Sequence, residues 1–137
     1  MPYRQAVRPA RSAPDRPARD DRDRPPRAEP RHYAALDLGT NNCRLLIAEP
    51  ASSGFRVIDA FSRIVRLGEG LAMAGRLSEA AMDRAVAALA ACAEKLARRP
   101  VRGFTAVATE ACRRAVNGAA FLSRVEAETG LRPRVIS

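Results

Sequence analysis

The chain has 137 residues, with 24 basic against 15 acidic side chains and a formal net charge of +9. No apolar run approaches the ~18 residues that a membrane-spanning helix needs. Three Cys residues without a Cys-x-x-Cys pair, together with one His, exclude a disulfide framework and a metal cluster based on Cys or His. We therefore expect a cytoplasmic protein without a membrane partner.

The basic excess raises the question of a nucleic-acid partner, but two features of the composition argue against one. All but one of the 24 basic residues are Arg, and this bias runs along the whole chain rather than forming one cluster. Aromatic residues make up only 4% of the chain, which leaves little surface for stacking single-stranded bases. Nucleic acid is therefore not expected to be the main partner.

Residues 1–32 differ in composition from the rest of the chain. They hold seven of the ten Pro residues and none of the eight Gly residues, with few apolar side chains and charges of alternating sign. Such a segment buries too little apolar surface to offset the entropy lost on ordering. We predict a disordered Arg- and Pro-rich tail over 1–32 and a folded domain over 33–137. A role for the tail in binding polyanions or a partner stays open.

The remaining residues predict the element order β-β-β-α-β-α-β. Short apolar runs bounded by turn residues indicate strands, and apolar residues spaced three and four apart indicate helices. The expected strands are 33–38, 44–48, 55–67, 103–108 and 132–137, and the expected helices are 78–97 and 118–129. Ser78 and Asn117 are placed to cap the two helices, and Gly130 is placed to end the second.

The connections between these elements predict an α/β fold, a mixed sheet with helices on its faces. Short links favour an antiparallel meander for the first three strands, whereas the helical crossover makes the fourth strand parallel to the first. The fourth strand is short enough to be buried on both faces. Ligands of such sheets bind beyond the carboxyl ends of the parallel strands, where residues 37–42 and 109–114 lie.

The first of these segments, DLGTNN at 37–42, has the residue types of a phosphate-binding loop. Gly39 allows a sharp turn that brings backbone N–H groups close to a phosphate, and the three residues after it add hydroxyl and amide donors. Asp37 is placed to hold Mg²⁺ through waters or to orient an attacking water. The same residue types also form ordinary hairpin turns, so the segment alone leaves both interpretations open.

The second segment, TEACRR at 109–114, follows the fourth strand. An Arg in the first turn after a strand faces the same crevice, where its guanidinium can bind a phosphate through two hydrogen bonds. Arg113 and Arg114 cannot both face it, because neighbours on a helix point about 100° apart. A solvated pair of Arg side chains is an equally good interpretation of this segment.

Four further residues receive structural interpretations. Cys43 and Cys112 lie near the expected site, but no base is visible beside them, so we interpret both as packing residues. Asp59 and Glu69 have no evident partner in the sequence and are interpreted as surface charges.

Four motifs occur in order between residues 33 and 137: D-L-G-T-N-N-C-R-L-L-I-A, R-L-G-E-G-L, G-R-L-S and A-T-E-A-C-R-R-A-V-N. In order and spacing they resemble the exopolyphosphatase/guanosine pentaphosphate phosphohydrolase (Ppx/GppA) family. Actin-like ATPases and sugar kinases share D-x-G-T, so the last motif carries the distinction. The resemblance implies an actin-like, ribonuclease H-like lobe of duplicated α/β domains. It also implies a Mg²⁺-assisted phosphatase that hydrolyses a terminal phosphoanhydride of polyphosphate or guanosine pentaphosphate.

The resemblance also assigns site residues. It implies that the family's first phosphate loop is Asp37–Asn42 and that its phosphate-binding Arg is Arg113. The residues expected to bind substrate phosphates are therefore Gly39, Thr40, Asn41, Asn42 and Arg113, and Asp37 stays the candidate Mg²⁺ ligand. Many members have Ser at the position of Thr40, which keeps the hydroxyl, whereas Asn42 replaces a hydroxyl with an amide.

The family's catalytic Glu and its second Gly-rich phosphate loop would follow Ser137. We therefore expect no catalytic residue within this chain and negligible activity from it alone. Homodimerisation of the full-length protein is an open expectation. Two alternatives also stay open: an ATP-binding lobe of another actin-like protein, and a non-catalytic module that binds polyanions.

Overall fold

The computed structural model describes residues 30–137, so most of the predicted tail lies outside the described residues. The elements are β1 (His32–Leu38), β2 (Asn42–Pro50), β3 (Phe55–Ile64), α1 (Leu71–Ala74), α2 (Glu79–Arg98), β4 (Val101–Ala108), α3 (Glu110–Arg114), α4 (Gly118–Thr129) and β5 (Arg134–Val135). The predicted order is confirmed, with two short helices added where a loop and a turn were expected. Because β1 begins at His32, the folded part starts one residue before the predicted boundary.

The five strands form one sheet in the order β3-β2-β1-β4-β5. β2 pairs antiparallel with both β1 and β3, whereas β4 pairs parallel with β1 and with β5. This confirms the predicted meander and the parallel crossover. β3 ends at Ile64 rather than at the predicted residue 67. The Val65 N–H still donates to the Asn41 carbonyl in the register of the Asn42–Ile64 pair, and the chain then turns at Arg66, which has φ of 48° and donates its N–H to the same carbonyl.

One face of the sheet forms the hydrophobic core with the helices. Alternate residues of β1 and β2 are buried, namely Ala34, Leu36, Leu38, Cys43, Leu45 and Ile47. Residues from all four helices join the same core, led by Met82, Val86 and Leu89 of α2 and by Phe121 of α4. The predicted stripe of α2 is therefore confirmed. Among residues 30–137, no helix is both long and apolar enough to span a bilayer.

The opposite face of the sheet is exposed within the described part of the chain. Tyr33, Ala35 and Leu46 lie on this face and remain accessible to solvent. In β4 only Ala108 is buried, and Phe104 is 38% exposed. The expectation that β4 would be buried on both faces was wrong, because the described helices contribute to a core on one face only.

Of the three residues predicted to cap or end the long helices, Ser78 and Gly130 do so and the Asn117 side chain does not. The Ser78 hydroxyl accepts the Ala81 N–H at 3.2 Å, which caps α2. Gly130 ends α4 with a left-handed φ of 75°. The Asn117 side chain does not cap α4. Its amide instead accepts the Leu77 N–H at 2.8 Å and donates to the Leu77 carbonyl at 3.0 Å, tying the α3–α4 junction to the start of α2.

We predict that Gly118→Ala destabilises the fold strongly. A Cβ atom at this position would lie 2.0 Å from the backbone oxygen of Cys112, so α4 would have to move away from α3. Overpacking of this kind costs about 3 kcal/mol, whereas the exposed control Ala120→Ser is expected to cost about 0.5 kcal/mol or less. Urea unfolding of the two variants measures the difference. Equal stabilities would contradict the close contact between α3 and α4.

Candidate functional site

The two predicted segments meet at one edge of the sheet. β1 and β4 are parallel neighbours, so the residues that follow them lie side by side. Thr109, directly after β4, donates its N–H and its hydroxyl to the Leu38 carbonyl at 3.1 and 3.3 Å. A Cβ atom at Gly39 would lie 3.9 Å from the Thr109 hydroxyl oxygen. The structure therefore brings the β1–β2 loop and the start of α3 together, as the topology predicts.

The β1–β2 loop is a tight hairpin turn. The Gly39 N–H donates to the Asn42 carbonyl at 2.9 Å, so this N–H is used inside the turn rather than offered to a ligand. The N–H groups of Thr40 and Asn41 have no acceptor among residues 30–137, and both residues are exposed. Two adjacent unpaired N–H groups on an exposed turn are suitable donors for an anion.

A second segment, residues 65–68, holds the carbonyl side of this loop; we call it the bracket segment. Its first two N–H groups donate to the Asn41 carbonyl at 2.8 and 3.0 Å, and the Gly68 N–H donates to the Thr40 carbonyl at 3.0 Å. These bonds turn the two loop carbonyls toward the bracket segment. The Asn41 N–H, which lies opposite the Thr40 carbonyl in the same peptide unit, therefore points away from the bracket segment and is left free.

The bracket segment needs unusual backbone geometry to reach the loop. Arg66 has φ of 48°, in the left-handed region that non-Gly residues seldom adopt. A Cβ atom on Gly68 would lie 2.3 Å from Cγ2 of Thr40, so only Gly allows this approach. Sequence reasoning missed the contribution of these residues to the site. The R-L-G-E-G-L motif was the available signal, because it contains both of them.

The two arginines of α3 have different surroundings. Arg114 forms an ion pair with Glu110 at 3.3 Å, and both line a cavity of about 150 Å³ together with Thr40, Gly68, Leu71, Ala72 and Ala111. Arg113 is exposed and makes no ion pair with any residue in the range 30–137. It follows Thr109 by one helical turn, and its N–H donates to the Thr109 carbonyl at 3.4 Å. Arg113 thus belongs to the helix beside the loop and carries no ion pair within residues 30–137, whereas Arg114 lines the cavity that α3 shares with Thr40.

Asp37 is the predicted Mg²⁺ ligand, and its surroundings limit what it could hold. It is exposed and lies opposite Arg44 in the β1–β2 register, yet it forms no ion pair within the described residues. No group of three or more His, Cys, Asp or Glu side chains in residues 30–137 is arranged to hold a metal. Mg²⁺ commonly binds through one or two carboxylates together with substrate phosphates and waters. Asp37 therefore fits a Mg²⁺ that binds with a phosphate substrate, and not a separate all-protein metal site.

The three Cys residues are buried and free. Burial and a hydrogen bond with Cys92 raise the pKa of the Cys43 thiol far above its ordinary value, the hydrogen bond being the larger cause. Burial raises the pKa of Cys112 to about 11. A thiol with a raised pKa stays protonated near neutral pH and is a poor nucleophile, which supports the interpretation of Cys43 and Cys112 as packing residues.

Asp59 and Glu69 both have partners that the sequence did not reveal, although Glu69 is an exposed surface charge as expected. Asp59 pairs with Lys95 of α2 at 3.0 Å, and a hydrogen bond from that ammonium group lowers the pKa of the Asp59 carboxyl. Glu69 pairs with Arg84 of α2 at 2.6 Å. Both partners are distant in the chain, so periodicity along the sequence could not reveal them.

The fold and this edge of the sheet define the class of the protein: an α/β lobe with a mixed five-stranded sheet, a hairpin loop after one parallel strand and an Arg-bearing helix after its neighbour. A family model described as the Ppx/GppA phosphatase family matches residues 46–137. The chain belongs to the Ppx/GppA phosphatase family.

Individual relatives agree with this assignment. The chain is 39% identical over 105 residues to a guanosine-5'-triphosphate,3'-diphosphate pyrophosphatase of Pseudoalteromonas translucida, a match that covers 77% of this chain and 21% of the relative. Among solved structures, a Ppx/GppA family member of Aquifex aeolicus is similar with a TM-score of 0.73 and 35% identity, covering 77% of this chain and 34% of its own. An exopolyphosphatase of Cytophaga hutchinsonii is similar with a TM-score of 0.71 and 28% identity, covering 77% of this chain and 34% of its own. The chain thus spans about a fifth of the curated relative and a third of the solved ones.

We predict that Gly68→Ala disrupts the bracket and that Thr40→Ser rescues it. The added methyl group would overlap Cγ2 of Thr40, the atom that Ser lacks, whereas the other atoms near it are at ordinary contact distance of 3.7 Å. Gly68→Ala alone is expected to lower the free energy of unfolding by about 1–3 kcal/mol. The double variant should recover at least about 1 kcal/mol of that loss in urea unfolding. Strictly additive effects would contradict the contact.

We also predict that all three Cys residues resist alkylation in the folded protein. At pH 8 the raised pKa keeps Cys43 and Cys112 as thiols, and burial shields Cys92 from the reagent. Mass spectrometry after iodoacetamide treatment should show no addition in buffer and three additions in denaturant. Rapid modification of any Cys in the native protein would refute this account of their environment.

Proposed function

We propose that this lobe is the phosphate-binding part of a hydrolase that removes the terminal phosphate of inorganic polyphosphate or of guanosine pentaphosphate. The observation that carries the proposal is the set of free donors at one sheet edge. The N–H groups of Thr40 and Asn41 lack acceptors within 30–137, and the uncompensated guanidinium of Arg113 belongs to the helix beside them. Both substrates end in a linear phosphoanhydride chain, which suits such a set.

In this proposal, each donor has its own task. The two N–H groups and the hydroxyl and amide side chains of the loop bind the terminal phosphate oxygens, while Arg113 binds through two parallel hydrogen bonds. Mg²⁺, when bound, would neutralise part of the substrate charge. Asp37 is the residue that would hold it. The protein's own contribution is to fix the phosphate and to stabilise its negative charge.

The described part of the chain offers no free carboxylate beside the loop to act as a general base, apart from Asp37. Glu110 is paired with Arg114, and Glu69 is paired with Arg84. A general base contributes about 10²–10⁴-fold to a rate. We therefore propose that the 137-residue chain binds its substrate but hydrolyses it negligibly.

We predict that Arg113→Ala weakens polyphosphate binding and that Arg114→Ala does not. Losing a charge-assisted, two-bond contact to phosphate should raise Kd about 10- to 100-fold. Arg114→Ala, the matched control, removes a charge that Glu110 already compensates and should change Kd less than about threefold. Fluorescence anisotropy with labelled polyphosphate measures both, with and without residues 1–29.

Three outcomes would count against this proposal. An equal loss of polyphosphate affinity in the two variants would show that net charge, and not the position of Arg113, causes the effect. An unchanged Kd for Arg113→Ala would show that Arg113 does not bind the substrate. Binding that disappears when residues 1–29 are removed would favour a polyanion-binding tail. Preference for ATP over polyphosphate would favour the alternative of an ATP-binding lobe.

We also predict that the 137-residue chain does not hydrolyse either substrate at a measurable rate. With Mg²⁺ present, phosphate release from polyphosphate or guanosine pentaphosphate by the 137-residue chain should equal the blank without protein. A rate above the blank that Arg113→Ala abolishes would show that the chain contains its own general base, contrary to the proposal.

A further inference from the structure

We propose that Arg84 is a positioning residue for the phosphate-binding loop, although it belongs to α2 and touches no residue of that loop. It acts through the bracket segment, residues 65–68. The inference rests on the proposed function only in taking the loop to be the phosphate site. Its structural part, that Arg84 holds the loop in place, is independent of any ligand.

The guanidinium of Arg84 binds the outer side of the bracket segment. Its Nε donates to the Val65 carbonyl at 2.8 Å, and its Nη2 donates to the Arg66 carbonyl at 3.3 Å. The same Nη2 forms an ion pair with Oε2 of Glu69 at 2.6 Å. The Arg84 side chain is 38% exposed, so part of it is shielded from water. One side chain thus bonds to two consecutive residues of the bracket segment and to Glu69, which directly follows it.

The inner side of the same peptide segment binds the loop. The N–H groups of Val65 and Arg66, whose carbonyls accept from Arg84, donate to the Asn41 carbonyl at 2.8 and 3.0 Å. An unbroken series of hydrogen bonds therefore runs from the α2 side chain through the bracket to the loop. By holding the Asn41 carbonyl, next to the Thr40 carbonyl that the Gly68 N–H holds, the series keeps the loop against the bracket segment.

The two carbonyls that Arg84 binds flank the Cα atom of Arg66, the residue with φ of 48°. A non-Gly residue keeps such a conformation only where the surrounding contacts over-determine it. The planar fork of Arg can reach two neighbouring carbonyls and a carboxylate at once, whereas the single ammonium group of Lys cannot reproduce that arrangement. The contact therefore depends on the guanidinium shape and not only on its charge.

Two other roles for Arg84 make different predictions. If the only role of Arg84 were its ion pair with Glu69, Glu69→Gln would change amide exchange and Kd as much as removing Arg84 does. If it supplied positive charge to the substrate, Arg84→Lys would preserve binding. Arg84→Met keeps the apolar part of the side chain but removes the guanidinium group. Arg98→Met is the matched control, because it makes the same change of charge at an exposed residue of the same helix.

The test measures amide hydrogen exchange of the ligand-free 137-residue chain and its Kd for polyphosphate. Arg84→Met and Arg84→Lys should each speed exchange of the Val65, Arg66 and Gly68 amides about tenfold, while the Leu89 amide in the core of α2 stays unchanged. Both variants should also raise Kd about tenfold, whereas Glu69→Gln and Arg98→Met should change it less than about threefold.

Several results would overturn the proposal. Unchanged exchange of the bracket amides would show that Arg84 does not hold the segment, whatever happens to binding. Faster exchange throughout α2 in the Arg84 variants would show that Arg84 stabilises the whole fold and does not specifically hold the bracket segment. An unchanged Kd for polyphosphate in Arg84→Lys would show that Arg84 acts through its charge and not through the shape of its guanidinium. If the wild-type chain binds no polyphosphate, the proposed function fails, and the exchange data alone still decide whether Arg84 holds the loop.

Discussion

The carbonyl oxygen of Asn41 accepts N–H groups from two consecutive residues, Val65 and Arg66, and the geometry of the candidate site depends on this double hydrogen bond. It lies at the end of β3: the Val65 N–H continues the β2–β3 register by one residue, and the chain then turns at Arg66, whose N–H donates to the same carbonyl. It also holds the β1–β2 loop against residues 65–68, where the Gly68 N–H holds the adjoining Thr40 carbonyl and the Asn41 N–H of that peptide unit points the opposite way. A hairpin turn with ordinary turn residues thereby presents two free donors on its exposed side.

The second constraint is the parallel pairing of β1 with β4. Parallel neighbours end at the same edge of a sheet, so the loop after β1 and the helix after β4 have to meet. The bonds from Thr109 to the Leu38 carbonyl fix that meeting point. This pairing brings the start of α3 beside the loop, and within that helix Arg114 forms an ion pair with Glu110 whereas Arg113 forms none among residues 30–137. Helix geometry alone leaves the choice between the two arginines open, and the assignment of phosphate binding to Arg113 stays a prediction from the family resemblance.

Local patterns in the sequence predicted the elements that depend on local physics. The stripe of Met82, Val86 and Leu89, the Ser78 cap and the Gly130 end describe α2 and α4 well, since each depends on residues within a few positions. The errors share a different cause. The end of β3, the partner of Asn117 and the partners of Asp59 and Glu69 are all set by hydrogen bonds or ion pairs between residues far apart in the chain. The site residues came from the family motif, but the bracket segment and Arg84 became visible only in three dimensions.

The central claim is that the N–H groups of Thr40 and Asn41 bind phosphate. Titration of the ¹⁵N-labelled chain with inorganic triphosphate tests it most directly, because each backbone amide reports separately. The account predicts saturable shifts at the Thr40 and Asn41 amides and in the Arg113 side chain, with little change at the Gly39 amide, which is already bonded to Asn42. Shifts confined to the arginines of residues 1–29, with the Thr40 and Asn41 amides unmoved, would contradict it.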